Sequence, residues 1–237
     1  MPVPAGPIVR RKLSDEVFVR LKAMITGGEL QPGDAMPSER ELMERFGVGR
    51  PAIREAMQSL AGLGLLAINH GERARVLRMT PRSLFGTVDA GAEIMLQTSP
   101  DALGHLKEAR IFFERGIVVQ AASRAGEADI AALEALLQTQ RDALGDAETF
   151  IAADMRFHLR IAEIPGNPIF AAVAEAMLGW LKQYHTDMLI WTGKENLTLV
   201  EHEEIVAALK ARDPVAAEAA MVRHLERSRA LYVHQMG

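Results

Sequence analysis

Hydrophobic residues recur every three or four positions through most of the chain, a spacing that predicts helices with one buried face. A first helix is expected from Ser14 to Thr26, because two glycines follow it directly. Beyond residue 83 the same spacing predicts further helices at about 84–97, 102–125, 127–144, 147–163, 168–192, 195–211 and 214–234. The expected fold class is mostly α, with a C-terminal all-α bundle of six or seven helices.

The stretch from Met36 to Gly71 predicts two more helices joined by a tight turn. Ser38 and Glu41 have the spacing of a capping box, which starts a helix by pairing side chains with free backbone N–H groups. Gly47 follows that helix at the position where a left-handed residue commonly ends one. Pro51 suits the first turn of the next helix, because its missing N–H would have no partner there in any case.

A β-hairpin is expected after this helix pair, with short strands at Leu65–Asn69 and Arg73–Arg78 around a turn at His70-Gly71. Three helices followed by such a hairpin make a winged helix-turn-helix. The helical period breaks at residues 80–83, which we interpret as a linker. The expected domains are therefore a winged helix-turn-helix at 1–79, a linker at 80–83 and an all-α domain at 84–237.

Two arginines on the second helix of this pair are the first candidate functional residues. Arg50 and Arg54 are four positions apart and share one face, while Ile53, Met57 and Leu60 form a separate apolar stripe. Helix-turn-helix proteins read guanines in the major groove of DNA with arginines near the N-terminus of such a helix. The N-terminal domain is therefore expected to bind double-stranded DNA.

The distribution of charge agrees with DNA binding. The net charge of the chain is −4, but residues 1–80 carry 12 basic and 9 acidic residues, whereas residues 81–237 carry 15 and 22. Only the front of the chain is suited to a polyanion, and the excess is too small to establish DNA binding alone. The chain has no cysteine, which excludes disulfides and thiolate metal sites. No signal peptide is visible, because the first twelve residues lack an apolar run after their charges, and no apolar run reaches membrane-spanning length, so we expect a cytoplasmic protein.

The histidines of the C-terminal domain give its strongest chemical signal. Asp154 and His158 are one turn apart on the inner face of a helix, and His202 and His224 lie on apolar stripes of two later helices. One carboxylate and three imidazoles suit a divalent transition ion, Zn²⁺ or alternatively Ni²⁺, Mn²⁺ or Fe²⁺. A histidine on an apolar face is more often a hydrogen-bonded core residue, so both interpretations stay open without knowledge of convergence.

Arg110 is a candidate for binding an anionic ligand. It lies on the apolar side of its helix, one turn after Leu106, and a buried cation needs an anionic partner. Glu114, one turn further on, could be that partner within the protein. Alternatively, Arg110 could clamp the carboxylate of a small acid bound at the metal.

The segment PSERELMERFGVGRPAIREAMQSLAGLGLL resembles the DNA-binding signature of the GntR superfamily of bacterial regulators, in its FadR-like branch. The remainder of the chain, to about residue 234, is similar to the all-α effector-binding and dimerisation domain of that branch. The resemblance places Asp154, His158, His202 and His224 at the ligand positions of its metal-binding members.

This resemblance also implies partners. It assigns DNA contacts to Arg40, Arg50, Arg54 and the wing residues His70 and Gly71. It further implies a homodimer on a repeated or palindromic operator, and a metal that holds a carboxylate effector.

Several functions therefore compete. We expect a ligand-responsive repressor, not an enzyme, that senses a small carboxylate such as a sugar acid. A regulator of another carboxylate pathway, of the lactate, gluconate or citrate type, is the nearest alternative. A metal-dependent hydrolase is a different class, since a histidine and carboxylate site can activate water. For that chemistry Glu163 or Glu201 could be the general base, but neither has a spacing that demands it. A third possibility is a DNA-binding protein whose bundle only dimerises.

Overall fold

Residues 12–86, 88–189 and 195–231 are described by a computed structural model of the chain. The chain divides into two units, residues 1–87 and residues 88–237. Helices dominate both, and the sheet found in the described residues has two strands, so the expected mostly-α fold class is confirmed. Within the described ranges, no helix combines the length and the apolarity that crossing a membrane requires.

The N-terminal unit contains the predicted three helices and hairpin, followed by one short helix. Its elements are α1 (Leu13–Thr26), α2 (Glu39–Phe46), α3 (Arg50–Gly62), β1 (Leu66–Ala67), β2 (Arg75–Val76) and α4 (Pro81–Gly86). The two strands are antiparallel, with Leu66 opposite Val76 and Ala67 opposite Arg75. They are shorter than predicted, because only these two residue pairs form a ladder.

The helix boundaries of the helix-turn-helix follow from local chemistry. The Ser38 hydroxyl accepts the backbone N–H of Glu41 at 3.2 Å, and the Glu41 carboxylate accepts the backbone N–H of Ser38 at 2.6 Å. This reciprocal capping box starts α2, as predicted. Gly47 ends α2 with a φ of 66°, a left-handed conformation that glycine adopts without steric cost. Pro51 lies in the first turn of α3.

One hydrophobic core unites the N-terminal unit. α1 and α3 pack against each other and bury one apolar face each, together with the inner side of the hairpin. The buried core residues are Val17, Leu21, Met24, Met36, Leu42, Ile53, Ala56, Met57, Leu60, Leu66, Ala74 and Val76. The other face of α3 is left in solvent.

The C-terminal unit is a bundle of seven helices over its described residues, within the predicted range. They are α5 (Asp89–Thr98), α6 (Ala102–Arg124), α7 (Glu127–Asp142), α8 (Ala147–Glu163), α9 (Pro168–Leu189), α10 (Glu195–Lys210) and α11 (Pro214–Leu231). α6 is central, because it packs against α8, α9, α10 and α11. The inner faces of α8, α10 and α11 therefore share one interior.

The junction between the units differs from the prediction. Residues 80–83 were expected to form a linker before a helix at 84–97, but α4 already begins at Pro81 and a separate helix, α5, follows. The reason is a second reciprocal cap. The Thr80 backbone N–H donates to the Ser83 hydroxyl at 2.9 Å, and the Ser83 backbone N–H donates to the Thr80 hydroxyl at 3.1 Å. With Pro81 as the first helical residue, this cap starts a helix within the expected linker.

Candidate functional site

The solvent face of α3 carries the two arginines that the sequence singles out. The side chains of Arg50 and Arg54 are 61% and 64% exposed. Both guanidinium groups contact the carboxylate of Glu39 on α2, a residue that the sequence analysis did not identify. Arg40 is also exposed on α2, where its Nε lies 3.9 Å from Glu44. The structure therefore brings Arg50 and Arg54 together through one acidic residue.

His70 and Gly71 lie in the exposed turn of the wing. Gly71 has a φ of 79°, which favours glycine, and the turn is closed by a hydrogen bond from Asn69 Nδ2 to Glu72 at 3.1 Å. Among the residues that the structure describes, no hydrogen bond or ion pair joins this turn to the arginines of α3. The two sets of predicted DNA contacts are separate parts of one unit.

The four predicted metal ligands come together inside the C-terminal unit. Asp154 and His158 project from α8, His202 from α10 and His224 from α11. All four are buried, with at most 5% of each residue exposed. One ligand atom from each lies within 4.8 Å of the other three. Packing of the bundle thus supplies the convergence that the sequence left open.

The three imidazoles point their Nε2 atoms at one another. His224 Nε2 lies 3.2 Å from His158 Nε2 and 3.3 Å from His202 Nε2. The Asp154 carboxylate faces the same centre, with Oδ1 3.5 Å from His202 Nε2 and Oδ2 4.0 Å from His158 Nε2. The ring of Phe157 stacks on His202 with centroids 4.1 Å apart, which fixes the plane of that imidazole.

The other ring nitrogen, Nδ1, of each histidine contacts a hydrogen-bond acceptor. The pairs are His158 with Glu114 at 2.5 Å, His202 with Gln140 at 2.9 Å and His224 with Glu201 at 2.8 Å. A carboxylate or an amide oxygen can only accept, so each Nδ1 carries the hydrogen. In each neutral imidazole the lone pair therefore lies on Nε2, directed at the centre of the cluster. Partners of this kind commonly orient metal-binding histidines.

The two carboxylate partners are ionised. Burial would raise the pKa of Glu114, but the charges and hydrogen bonds of Arg110 and His158 together outweigh it, and the pKa falls from 4.5 to about 2. Burial also raises the pKa of Glu201, while hydrogen bonds from His224 and Arg227 lower it to about 2. Both groups are acceptors only at neutral pH, which supports the assignment of the histidine hydrogens to Nδ1.

Acceptor atoms converge on the centre of the cluster. Burial lowers the pKa of His202 and His224 below 6.5, so their Nε2 lone pairs stay unprotonated at neutral pH. Burial would raise the pKa of Asp154, but the surrounding histidines hold it below its usual 3.8, and Gln140 Nε2 donates to it at 3.3 Å. Three lone pairs and a carboxylate at these distances repel one another unless a cation lies between them. The four residues could therefore hold a divalent metal ion.

Arg110 lies beside this centre and has the internal partner that the sequence allowed. It is 5% exposed, and its Nε donates to Glu114 Oε1 at 2.5 Å. Its charge also helps to lower the pKa of Asp154 and of His202, which means that it acts on the cluster electrostatically. Arg110 thus forms an ion pair with Glu114, the carboxylate that contacts His158.

The sequence analysis did not predict all of the residues that bond to the candidate ligands or to their hydrogen-bond partners. Glu114 was considered only as a partner of Arg110, and Gln140 and Arg227 were not considered at all. Gln140 falls three residues after Leu137 on the buried stripe of α7, and a polar residue on such a stripe is a usable signal. Arg227 is one turn after the predicted ligand on α11 and donates to Glu201 at 2.6 Å.

The chain matches two protein-family models. Residues 13–76 match the model described as "Bacterial regulatory proteins, gntR family". Residues 105–227, which include all four clustered ligands, match the FCD domain. The first match falls in the N-terminal unit and the second in the C-terminal unit.

Curated relatives are similar over almost the whole chain. "HTH-type transcriptional repressor NanR" of Salmonella schwarzengrund is 40% identical over 233 residues, which are 98% of this chain and 88% of that protein. The protein of the same name from Citrobacter rodentium is 39% identical over 234 residues, covering 98% and 89%. The segments NHGERARV and AEIPGNPIF already resemble NanR when the sequence is considered by itself.

Solved structures agree in fold. Streptococcus agalactiae GntR superposes with a TM-score of 0.64 at 26% identity, covering 92% of this chain and 99% of that one. E. coli McbR/YncC has a TM-score of 0.55 at 20% identity, over 96% and 100%, which supports the fold alone. The curated relatives are transcriptional regulators, so the hydrolase interpretation is set aside. The chain therefore belongs to the GntR family of bacterial regulatory proteins and is a DNA-binding transcriptional regulator with a C-terminal FCD domain.

Proposed function

We propose that the protein is a cytoplasmic, metal-dependent repressor that responds to a small carboxylate, and that this effector is a sugar acid such as N-acetylneuraminate. The observation that carries the proposal is the convergence of three Nε2 lone pairs and one carboxylate inside the FCD domain. Effector binding shifts the protein between DNA-competent and DNA-incompetent states by its difference in affinity for the two.

The metal is held by Asp154, His158, His202 and His224, as one divalent transition ion per subunit. Zn²⁺ is the ion we propose, and Ni²⁺, Mn²⁺ and Fe²⁺ accept the same nitrogen and oxygen ligands. When bound, the ion supplies positive charge to the interior of the bundle and attracts a carboxylate. The protein side chains that contact Nδ1 fix the imidazole tautomers, and burial of the site excludes solvent from the metal-binding centre.

The balance of charge around the centre supports a monoanionic effector. Three ionised carboxylates surround the histidines, from Asp154, Glu114 and Glu201, and two guanidinium groups accompany them, from Arg110 and Arg227. Their sum is −1 without the ion and becomes +1 when a divalent ion is bound. A buried anion is costly unless a positive charge is close to it. Only the metal-loaded site is therefore complementary to one carboxylate.

Arg110 is the second proposed effector contact. Its buried guanidinium already has Glu114 as a counter-ion, which keeps the charge of the arginine in place beside the metal ligands. A planar guanidinium can bind a carboxylate through two parallel hydrogen bonds, which an ammonium group cannot do. We expect Arg110→Lys to keep the positive charge but to weaken effector binding about tenfold, measured by calorimetry on metal-loaded protein.

The DNA-binding half of the proposal concerns the exposed residues of the N-terminal unit. They are Arg40, Arg50, Arg54, His70 and Gly71. We propose that a homodimer presents two copies of this surface to a repeated or palindromic operator. Arginines on a recognition helix are able to donate two hydrogen bonds to one guanine. The high exposure of Arg50 and Arg54 supports their assignment to this role.

Metal content tests the proposed centre. Purified wild-type protein is expected to contain one equivalent of metal per subunit by elemental analysis, and His158→Ala to contain almost none. His105→Ala is the matched control, because His105 is an exposed histidine on α6 away from the cluster, and it should retain the metal. Equal metal content in all three proteins would reject the site.

Calorimetry tests the effector. N-acetylneuraminate, gluconate, lactate and citrate should be titrated into metal-loaded protein and into protein stripped with a chelator. We expect a monoanion to bind the loaded protein at least about tenfold more tightly, and the trianion citrate to bind less well than the monoanions. If no acid prefers the loaded protein, the carboxylate sensor is wrong. If gluconate or lactate binds most tightly, only the assignment to N-acetylneuraminate fails.

A further inference from the structure

Both carboxylate oxygens of Glu39 contact arginines on α3. Its Oε1 lies 2.7 Å from Arg54 Nε, and its Oε2 lies 3.3 Å from Arg50 Nε. The side chain of Glu39 is 30% exposed, about half the exposure of either arginine. One acidic side chain on α2 therefore bridges two basic side chains that are a full turn apart on α3.

The N-terminal end of α3 has no acidic side chain of its own. Gly49 is the N-cap and offers no side-chain acceptor, and the first turn of α3 contains no acidic residue. That turn instead begins with Arg50, whose charge opposes the positive end of the helix dipole. Glu39 on α2 supplies a negative charge to Arg50, the residue that begins α3, and to Arg54 one turn later. The contact is thus favourable for the two arginines.

The contacts also leave the useful edge of each arginine unused by Glu39. Both distances to the carboxylate are measured from Nε. A guanidinium has a second edge, formed by its two terminal nitrogens, which can donate to O6 and N7 of one guanine. An arginine held through Nε can therefore still make a bidentate contact with a base.

We propose that Glu39 is a positioning residue for DNA recognition, which holds Arg50 and Arg54 in the orientation that reads the operator. This inference rests on the proposed assignment of those arginines to base contacts. Long side chains lose conformational freedom when they bind, and holding them beforehand reduces that cost. The negative charge of Glu39 acts differently on other DNA, because it repels phosphates whatever their sequence. Glu39 therefore strengthens operator binding and weakens non-specific binding.

The test uses the full-length, metal-loaded protein. An operator is first selected by the wild type from a pool of random duplexes, and a shuffled duplex of the same composition is the non-specific probe. Fluorescence anisotropy at fixed salt gives the affinity of each protein for both duplexes. We expect Glu39→Gln to bind the operator about tenfold more weakly and the shuffled duplex equally well or more tightly. The ratio of the two affinities should fall at least tenfold.

Glu16→Gln is the matched control. Glu16 is on α1 of the same unit, its side chain is 49% exposed, and it lies 3.9 Å from Arg20, which is not among the proposed DNA contacts. Removing its charge changes the net charge of the unit by the same amount without touching the bridge, so the affinity ratio should stay at the wild-type value. Glu39→Asp keeps the charge but shortens the side chain, and we expect it to lose part of the ratio. If Glu39→Gln strengthens binding to both duplexes to the same extent, the positioning role is wrong.

A measurement without DNA separates positioning from a loss of structure. Nitrogen-15 spectra of arginine side chains report the Nε–H groups, and those of Arg50 and Arg54 should shift and sharpen in Glu39→Gln while the melting temperature changes little. Unchanged Nε–H signals would overturn the inference.

Arg50→Ala and Arg54→Ala distinguish the positioning role of Glu39 from the proposed base contacts of the two arginines. If both arginine variants keep the wild-type operator affinity, the assignment of Arg50 and Arg54 to base contacts is wrong. If both lose operator affinity but Glu39→Gln keeps it, only the positioning role of Glu39 is wrong.

Discussion

The residues around the histidine cluster differ in kind. Glu114 and Glu201 are ionised carboxylates that each carry an arginine partner, whereas Gln140 is a neutral amide. Gln140 accepts from His202 through its oxygen and donates to Asp154 through its nitrogen. It therefore orients two proposed metal ligands at once and adds no charge. A carboxylate at this position would cancel the positive charge that we expect the effector to need.

Substitution of Gln140 is expected to weaken metal binding without unfolding the bundle. Gln140→Leu keeps most of the buried volume but removes the acceptor that fixes His202, and loss of such a partner commonly costs 10–100-fold in metal affinity. Competition with a fluorescent chelator measures that affinity. Gln138→Leu is the control, because Gln138 is exposed on the same helix and bonds to Asp142. Equal metal affinity in the two variants would contradict the orienting role of Gln140.

At the scale of elements, the helix-turn-helix depends on how α2 begins and ends. The capping box at Ser38 fixes the first turn, and Gly47 fixes the direction in which the chain leaves the helix. Both are local features, yet they set the position of Glu39 at the start of α2 relative to the arginines of α3. A change in either end should therefore affect stability first and DNA recognition as a consequence.

The stability of the first turn of α2 should depend on pH through the ionisation of Glu41. The backbone N–H of Ser38 bonds to the charged carboxylate and lowers the pKa of Glu41 below 4.5. Because the folded state favours the ionised form, its contribution to stability is complete above pH 4.5 and is lost as the pH falls through the lowered pKa. Glu41→Gln should melt below the wild type at neutral pH, and the difference in melting temperature should shrink as the pH falls through the lowered pKa. Ser38→Ala, which loses the hydroxyl cap, should be destabilised throughout this range. A constant difference between Glu41→Gln and the wild type would contradict this account.

The end of α2 should depend on the conformation of Gly47. A side chain at its φ of 66° is strained, so Gly47→Ala is expected to lower the free energy of unfolding by about 1–2 kcal/mol. Gly62→Ala is the control. Gly62 is helical, and a methyl group there would meet nothing within 4 Å, so stability should stay constant or rise by roughly 0.5–1 kcal/mol. Urea unfolding measures both; a similar loss in the two variants would argue against a conformational cause.

At the scale of the whole molecule, the two units contain different chemistry. The exposed arginines and the wing belong to residues 1–87, and all four clustered ligands belong to residues 88–237. Each unit has its own hydrophobic core. Metal binding should therefore stabilise the FCD unit directly, and any effect on DNA binding must be transmitted between units.

Calorimetric unfolding should separate the contributions of the units. Removal of metal with a chelator is expected to lower the transition of the FCD unit, because the buried ligands lose the ion that offsets their repulsion. The transition of the DNA-binding unit should stay in place. Leu60→Ala identifies that second transition, since Leu60 is fully buried in its core and its truncation costs about 2–5 kcal/mol. If chelation moved both transitions equally, the units would not unfold independently.

Most of the architecture can be predicted from the amino-acid sequence. Helices in both units, the capping box at Ser38, the left-handed Gly47 and the wing are confirmed, because each depends on hydrophobic period or on hydrogen bonds between neighbours in the chain. The inward placement of Asp154 and of the three histidines follows from the same period. The sequence misjudged the start of α4, although the cap between Thr80 and Ser83 is equally local.

Which side chains meet inside the bundle depends on how the helices pack. The ligand atoms of His158, His202 and His224 lie within hydrogen-bonding distance although the residues are up to 66 positions apart, and their separation along the chain carries no information about this contact. The same is true of the acceptor Gln140 and of Glu39, whose partners come from other helices. A helical period specifies which face of each helix is buried, but the rotation and axial position of packed helices decide which atoms face each other across the interior.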